Sequence, residues 1–323
     1  MPQQPSTTAP DFSILASNIV RAFGQGRVVP FLGAGASLIG RTNSFVPGSN
    51  FPTGGELADH LANQTNYPSE WEKSLTRVSQ FMSTILGTGP LYDELRNVFL
   101  TTGIAPNPLH QLLATLTLRQ KKPPATVIVT TNYDTLVEDA LKAVEVPFDI
   151  LTYTAREPHR GRFRHTTSDG TINEPADQDY NAIPFNKVLR RLERPLVLKI
   201  HGTIAADEND DSFVITEEDY IDYLARTDVS RLLPTQVAEI LAQKHFLFLG
   251  YSLADWNLRV LLSRVWQRQK EDNYRSWAAN RSLSDYDRDF WRRYGVDCHR
   301  IELGSFAQTL ADTMDLQLGP VQS

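Results

Sequence analysis

Val28-Val29-Pro30-Phe31-Leu32-Gly33-Ala34-Gly35-Ala36-Ser37 is the stretch that decides the fold. Five apolar residues end abruptly at glycine and small residues, which predicts a buried strand followed by a tight glycine-rich turn. The same grammar recurs three times downstream. Thr126-Val127-Ile128-Val129-Thr130 is β-branched and apolar on both faces, as a strand covered on both sides must be, and it stops at Thr131-Asn132-Tyr133-Asp134. Leu196-Val197-Leu198-Lys199-Ile200 stops at His201-Gly202-Thr203, and His245-Phe246-Leu247-Phe248-Leu249 stops at Gly250-Tyr251-Ser252. Strand, polar loop and helix in this order predict an α/β fold: a doubly wound parallel sheet with helices on both faces.

Outward from these strands, Leu15, Ile19, Ala22 and Phe23 have helical spacing between Asp11 and Gly24, behind a polar leader at residues 1–10 that is expected to be disordered. One domain is expected from 11 to 323. A helical insertion occupies about 38–125, where Thr53-Gly54-Gly55-Glu56 fits a capping box ahead of Leu57, Ala58 and Leu61 and further helices are expected near 70–85, 91–100 and 107–119. A helix from about Asp134 to Ala143 and a strand at Phe148 to Thr152 follow. A polar insertion with few core-type residues then runs from about 154 to 192. Two charge runs, Arg156 to His165 and Asp207 to Asp211, read as surface loops, with a docking surface as the alternative. A strand near Val296 to Ile301 and a helix near Phe306 to Met314 close the domain.

The 323 residues contain 41% hydrophobic and 22% charged residues, ordinary globular usage that argues against a coiled coil or a collagen-like chain. A formal net charge of −6 gives no global positive field for nucleic acid or an anionic membrane. No stretch approaches the ~18 apolar residues a membrane span needs, and the first residues lack the regions of a signal peptide. With a single cysteine, Cys298, the chain has no internal disulfide and no thiolate zinc site, in keeping with a cytoplasmic location.

In an open parallel sheet, ligands sit beyond the carboxyl ends of the strands, where the strand order reverses. The four strand ends therefore form the candidate site. Gly33, Ala34, Gly35 and Ser37 offer backbone N–H groups with little steric hindrance, suited to a pyrophosphate at a following helix N-terminus, although the run lacks the third glycine of a dinucleotide fingerprint and the lysine of a P-loop. A plain tight turn is the alternative. Thr131, Asn132 and Asp134 stand at the mouth of the most apolar strand, where Asn132 or Asp134 also suits a helix cap. His201 has the side chain best matched to accepting a proton near neutral pH, against the alternative of a structural histidine. Gly250 permits close backbone approach, and Ser252 and Asp255 supply hydrogen-bonding groups for a ribose, with Asp255 as an N-cap the other reading. No histidine and cysteine cluster has zinc spacing, and no nucleophile elbow of the Gly-x-Ser-x-Gly kind occurs.

Taken in order, GAGAS at 33–37, TTNYD at 130–134, KIHG at 199–202 and GYS at 250–252 resemble the sirtuin, or Sir2, family, over roughly residues 15–302. In detail the chain is similar to the bacterial SIR2-like branch of antiviral defence systems. Sirtuin deacylases carry a zinc ribbon of paired cysteines, which this chain with Cys298 alone cannot build. What the resemblance implies is therefore cleavage of NAD+ with water as acceptor and no metal: an NAD+ glycohydrolase releasing nicotinamide and ADP-ribose, lowering NAD+ on infection. Gly33, Ala34, Gly35 and Ser37 would hold the pyrophosphate and adjacent ribose, and Gly250, Ser252 and Asp255 the adenosine side. Asn132 would position the nicotinamide ribose or the water, Asp134 would hold the carboxamide pocket, and His201 would act as general base. A homo-oligomer is implied, with a HerA-like ATPase as a possible separate partner. The alternatives are an NAD+ or ADP-ribose sensor that does not cleave its ligand, and ADP-ribosyl transfer or deacylation of a protein.

Overall fold

The computed structural model describes residues 12–100, 103–120, 125–173, 183, 185–186, 191–225, 233–251, 275–281 and 283–319. Helix α1 (Phe12–Gly24) buries Ala16, Ile19 and Phe23, spaced three and four apart, and leads into β1 (Val28–Leu32), buried at every position. A single 3-10 turn, Ala34–Leu38, follows β1. Then come α2 (Gly54–Thr65), α3 (Leu75–Leu86), α4 (Thr88–Phe99) and α5 (Pro108–Arg119). The Thr53 hydroxyl accepts from the Glu56 N–H while the Glu56 carboxylate accepts from the Thr53 N–H, the expected capping box at the start of α2. The chain continues through β2 (Val127–Thr130), α6 (Leu136–Ala143), β3 (Asp149–Thr154), β4 (Arg162–Thr166), β5 (Ile172–Asn173), β6 (Phe185–Asn186), β7 (Arg191–Leu192), β8 (Leu196–Lys199), β9 (Gly202–Thr203) and β10 (Ser212–Phe213). It ends with α7 (Glu217–Ala225), α8 (Thr235–Leu241), β11 (His245–Leu249), β12 (Ser276–Ala279), α9 (Asp285–Arg292), β13 (Val296–His299) and α10 (Leu303–Asp312).

The main sheet has the order β13-β12-β11-β1-β2-β8-β3-β4-β5. From β13 to β3 all neighbours are parallel, and β4 and β5 add an antiparallel edge. The chain leaves β1 toward β2 and returns on its other side as β11, in register from Val28 opposite His245 to Leu32 opposite Leu249, so the order reverses between β1 and β11. Because successive side chains of a strand point to opposite faces, Val28, Leu32, Ile128, Val197 and Leu247 pack with α1, α5, α6 and α10, whereas Val29, Phe31, Val129, Leu198 and Phe246 pack with α7, α8 and α9. A third apolar cluster joins Leu57, Leu61, Val78, Leu91 and Leu95 of α2–α4 to Tyr133, Ile204 and Phe213, which docks this helical layer on the loops beyond β2 and β8.

Two readings of the sequence are corrected. Arg162 to Thr166 is strand β4 and not part of a surface loop, because Phe163 and His165 alternate with the charged residues and turn inward, at 1% and 2% exposure. His165 Nε2 lies 2.9 Å from a carboxylate oxygen of the fully buried Asp149, whose other oxygen accepts from Arg194 at 2.8 Å. In the acidic run, Asp211 is buried and accepts from Arg96 at 2.8 Å, tying α4 to the loop after β9.

Candidate active site

Beyond the carboxyl ends of β1 and β11 the two glycine turns meet. Gly33 N–H donates to Leu249 O at 3.0 Å and Gly35 N–H to Gly250 O at 2.9 Å. There is no space between them: a Cβ on Gly33 would lie 2.6 Å from the Tyr251 ring, and one on Gly250, whose φ is +65°, would lie 2.2 Å from the Ala36 nitrogen. The expectation that the Gly33 and Gly35 amides face a ligand is thus corrected; those amides join two loops, and the glycines serve close backbone approach. Nor does an α-helix start here, since Ala34–Leu38 is one 3-10 turn. Asn107, the N-cap of α5, supports the turn from outside: its Oδ1 accepts from Leu109 N–H at 3.1 Å while its Nδ2 donates to Ala36 O at 2.7 Å.

Beside this floor stands a chain of polar side chains. Asn132 Nδ2 donates to Gly33 O at 3.1 Å and to Ser37 Oγ at 2.9 Å, and Ser37 Oγ donates in turn to Asp134 Oδ2 at 2.8 Å. Since the serine proton goes to Asp134, the serine must accept from the asparagine, which fixes the amide's orientation. Asp134 Oδ1 accepts from Leu136 N–H at 3.1 Å, the first amide of α6, whose N-cap is Thr135. The remaining Asn132 Oδ1 is buried and has no hydrogen-bond partner. Thr131 N–H and hydroxyl both reach Leu32 O, holding β2's exit against β1.

His201, 8% exposed, follows β8, with its ring edge-on to Tyr220 at 5.5 Å and Tyr223 at 5.9 Å between ring centres. Its backbone carbonyl accepts from Val214 N–H at 2.9 Å, and Gly202, at φ +90°, lets the β9–β10 hairpin close, since a Cβ there would meet Ser212 O at 2.0 Å. Beneath the site Lys199, 1% exposed, donates to Asp134 O and, at 2.8 Å, to Glu138 Oε1.

These groups border one cavity of about 840 Å³, within the roughly 300–1,000 Å³ typical of ligand clefts. Of the residues singled out in the sequence, Ala34, Gly35, Ser37, Thr131, Asn132, Asp134, His201 and Gly250 line it, and Gly33 lies behind the floor. Ser252 and Asp255 lie outside the described residues. The helical layer contributes Phe51, Leu57 and Phe99, with Arg41, whose guanidinium is held by Glu56 at 2.8 Å and Phe51 O at 2.7 Å. Asn280 and Arg281 enter from the end of β12, and Asn280 donates to Tyr251 O at 3.0 Å. The sequence did not point to these last residues, because their strand, Ser-Trp-Ala-Ala, is four residues long and has no β-branched run.

Among the described residues no three His, Cys, Asp or Glu side chains gather as a metal site. Burial, then Asp297 and Asp287, pushes the Cys298 thiol up to about 11, so it is protonated and unreactive near neutral pH.

A parallel sheet whose two glycine turns meet at the reversal of strand order, with Asn132 and His201 over the shared cavity, is the architecture of a nucleotide-binding α/β protein. The family model of the SIR2-like domain matches residues 126–299, more than half of the chain, and the chain belongs to this family. It is also 25% identical over 275 residues to Defense-associated sirtuin 2 of Bacillus subtilis, an alignment covering 80% of this chain and 22% of that protein. The chain thus spans less than a quarter of that relative's length.

Proposed function

We infer that the cavity binds NAD+ as substrate and hydrolyses its nicotinamide–ribose bond, giving nicotinamide and ADP-ribose. The observation that carries this reading is the meeting of Asn132, Asp134 and His201 on one cavity beyond the strand ends, with the Asn132 amide oriented by Gly33 and Ser37. The Asn132 side chain is held in place by Ser37 and Gly33 before any ligand arrives, which favours positioned chemistry. Water adds its oxygen to the ribose carbon as the bond to the ring nitrogen breaks; the electron pair neutralises the departing nicotinamide, and His201 takes the water's proton. No general acid is needed for a leaving group that departs neutral.

Membership of the SIR2-like family supports NAD+ as the ligand, and the name of the Bacillus relative supports a role in defence. Among the described residues no helix is long and apolar enough to cross a membrane. The reading includes control by assembly, with further copies of the chain or with a HerA-like ATPase. Nicotinamide release from NAD+ by the wild type, Asn132→Ala and His201→Ala, across a wide protein concentration range, tests it. Loss of the general base should lower turnover ~10²–10⁴-fold with the fold intact. Equal turnover in His201→Ala and the wild type would refute it, as would NAD+ left whole both by the chain alone at every concentration and by its activated assembly.

A further inference from the structure

We propose that Lys199 is a positioning residue of this site, holding the Asn132–Asp134 loop in place through the Asp134 carbonyl, with Glu138 as its buried counter-charge.

The pair is unusual for its place. Lys199 is the last residue of β8 and Glu138 lies in the first turn of α6; both are buried, at 1% and 4% exposure, and Nζ and Oε1 are 2.8 Å apart. Ion pairs so far from water seldom add stability over well-packed apolar residues, so stability alone gives a poor account of this one. What it does geometrically is specific. Nζ donates to Asp134 O, and the same residue's carboxylate accepts from Ser37 Oγ and from Leu136 N–H. Ser37 accepts from Asn132, which donates also to Gly33 O. One ammonium group therefore ties the end of β8, the start of α6, the loop after β2 and the glycine turn after β1 into a single network. His201 is two residues beyond Lys199 on the same strand end, so the clamp also relates the two residues assigned to the chemistry.

The proposal rests on the NAD+ reading for its consequence in catalysis, but its geometry is testable without it. The variant Lys199→Met with Glu138→Leu removes both charges and keeps the volume near that of the pair. Hydrogen exchange over residues 131–137, read by mass spectrometry, should quicken at least tenfold while the thermal midpoint stays at or above the wild-type value. In the same protein kcat for nicotinamide release should fall at least tenfold with KM within threefold. Glu138→Gln alone strands the buried ammonium without its counter-charge and should lower the thermal midpoint below that of both the wild type and the double variant; a midpoint equal to wild type would overturn Glu138 as the counter-charge. If the double variant does not fold, Lys199→Gln with Glu138→Gln replaces the ion pair by a neutral hydrogen bond and should show intermediate exchange and turnover. Unchanged exchange in the folded variant overturns the proposal, as does faster exchange with unchanged turnover. A wild type that releases no nicotinamide even in its activated assembly refutes the reaction instead, and the exchange rates then decide the role of Lys199 by themselves.

Discussion

Gly250→Ala should separate the two loops that form the floor of the site. Gly250 has φ +65°, a conformation costing an L-residue roughly 1–2 kcal/mol. Its new methyl group would lie 2.2 Å from Ala36 N, 2.5 Å from Gly35 C and 2.9 Å from Gly35 Cα. These are backbone atoms on a turn that is bonded to Gly250 O and, through Asn107, to the start of α5, so no side chain can rotate aside. Overpacking of this kind costs about 1–3 kcal/mol. The sum, roughly 2–5 kcal/mol, is a large part of the ~5–15 kcal/mol by which domains are stable. Urea unfolding should show a lower midpoint with an unchanged slope. Gly24→Ala is the control: a Cβ at this last residue of α1 meets nothing within 4 Å, and the change should stay within about 1 kcal/mol. Equal midpoints for the two variants would refute the claim that the turns touch, and with it the account of the cavity floor.

Asn107→Ala should cost ~1–3 kcal/mol, from the lost cap of α5 and the stranded Ala36 carbonyl; Asn107→Ser should recover only the cap, about 1 kcal/mol by urea unfolding. Burial alone would raise the Glu56 carboxyl, but hydrogen bonds from Arg41 and Thr53 outweigh it and hold the group at about 2 against an ordinary 4.5. A depressed value stabilises the fold above the ordinary one, so the ~1 kcal/mol deficit of Glu56→Gln should be full above pH 4.5 and vanish as pH falls toward 2. Burial likewise opposes ionisation of Asp149, and His165 and Arg194 overcome it, leaving the carboxyl below its ordinary 3.8. Asp149→Asn should therefore cost about 3–5 kcal/mol in urea at neutral pH, a gap that narrows only below pH 3.8.

Strands that carry five apolar residues and stop at glycine, such as β1 and β11, were legible because burial on both faces leaves an uninterrupted apolar run. β4 was hidden by its arginines: at a sheet edge one face meets water, and only the alternating Phe163 and His165 betray it. Asn132, Asp134 and His201 could be picked out as the polar residues following such strands. Their connections could not, since the bond from Ser37 to Asp134 spans 97 positions and exists only because β1 and β2 are neighbours. Asn107 before Pro108 has the look of a helix start, but nothing local tells that its amide also carries the Ala36 carbonyl.

The pairing of β1 with β11 sets an order on synthesis. Residue 28 finds its partner at residue 245, and the Gly33 turn finds its own at Gly250. During translation, which proceeds from the N-terminus, β1 waits as an apolar strand with one unpaired edge while more than two hundred residues emerge. A growing chain or a product truncated before β11 thus holds Asn132 and His201 but no floor beneath them. Only a chain that has reached β11 can assemble the pocket, so shorter fragments lack its floor, leave one edge of β1 unpaired and are the species most in need of a chaperone.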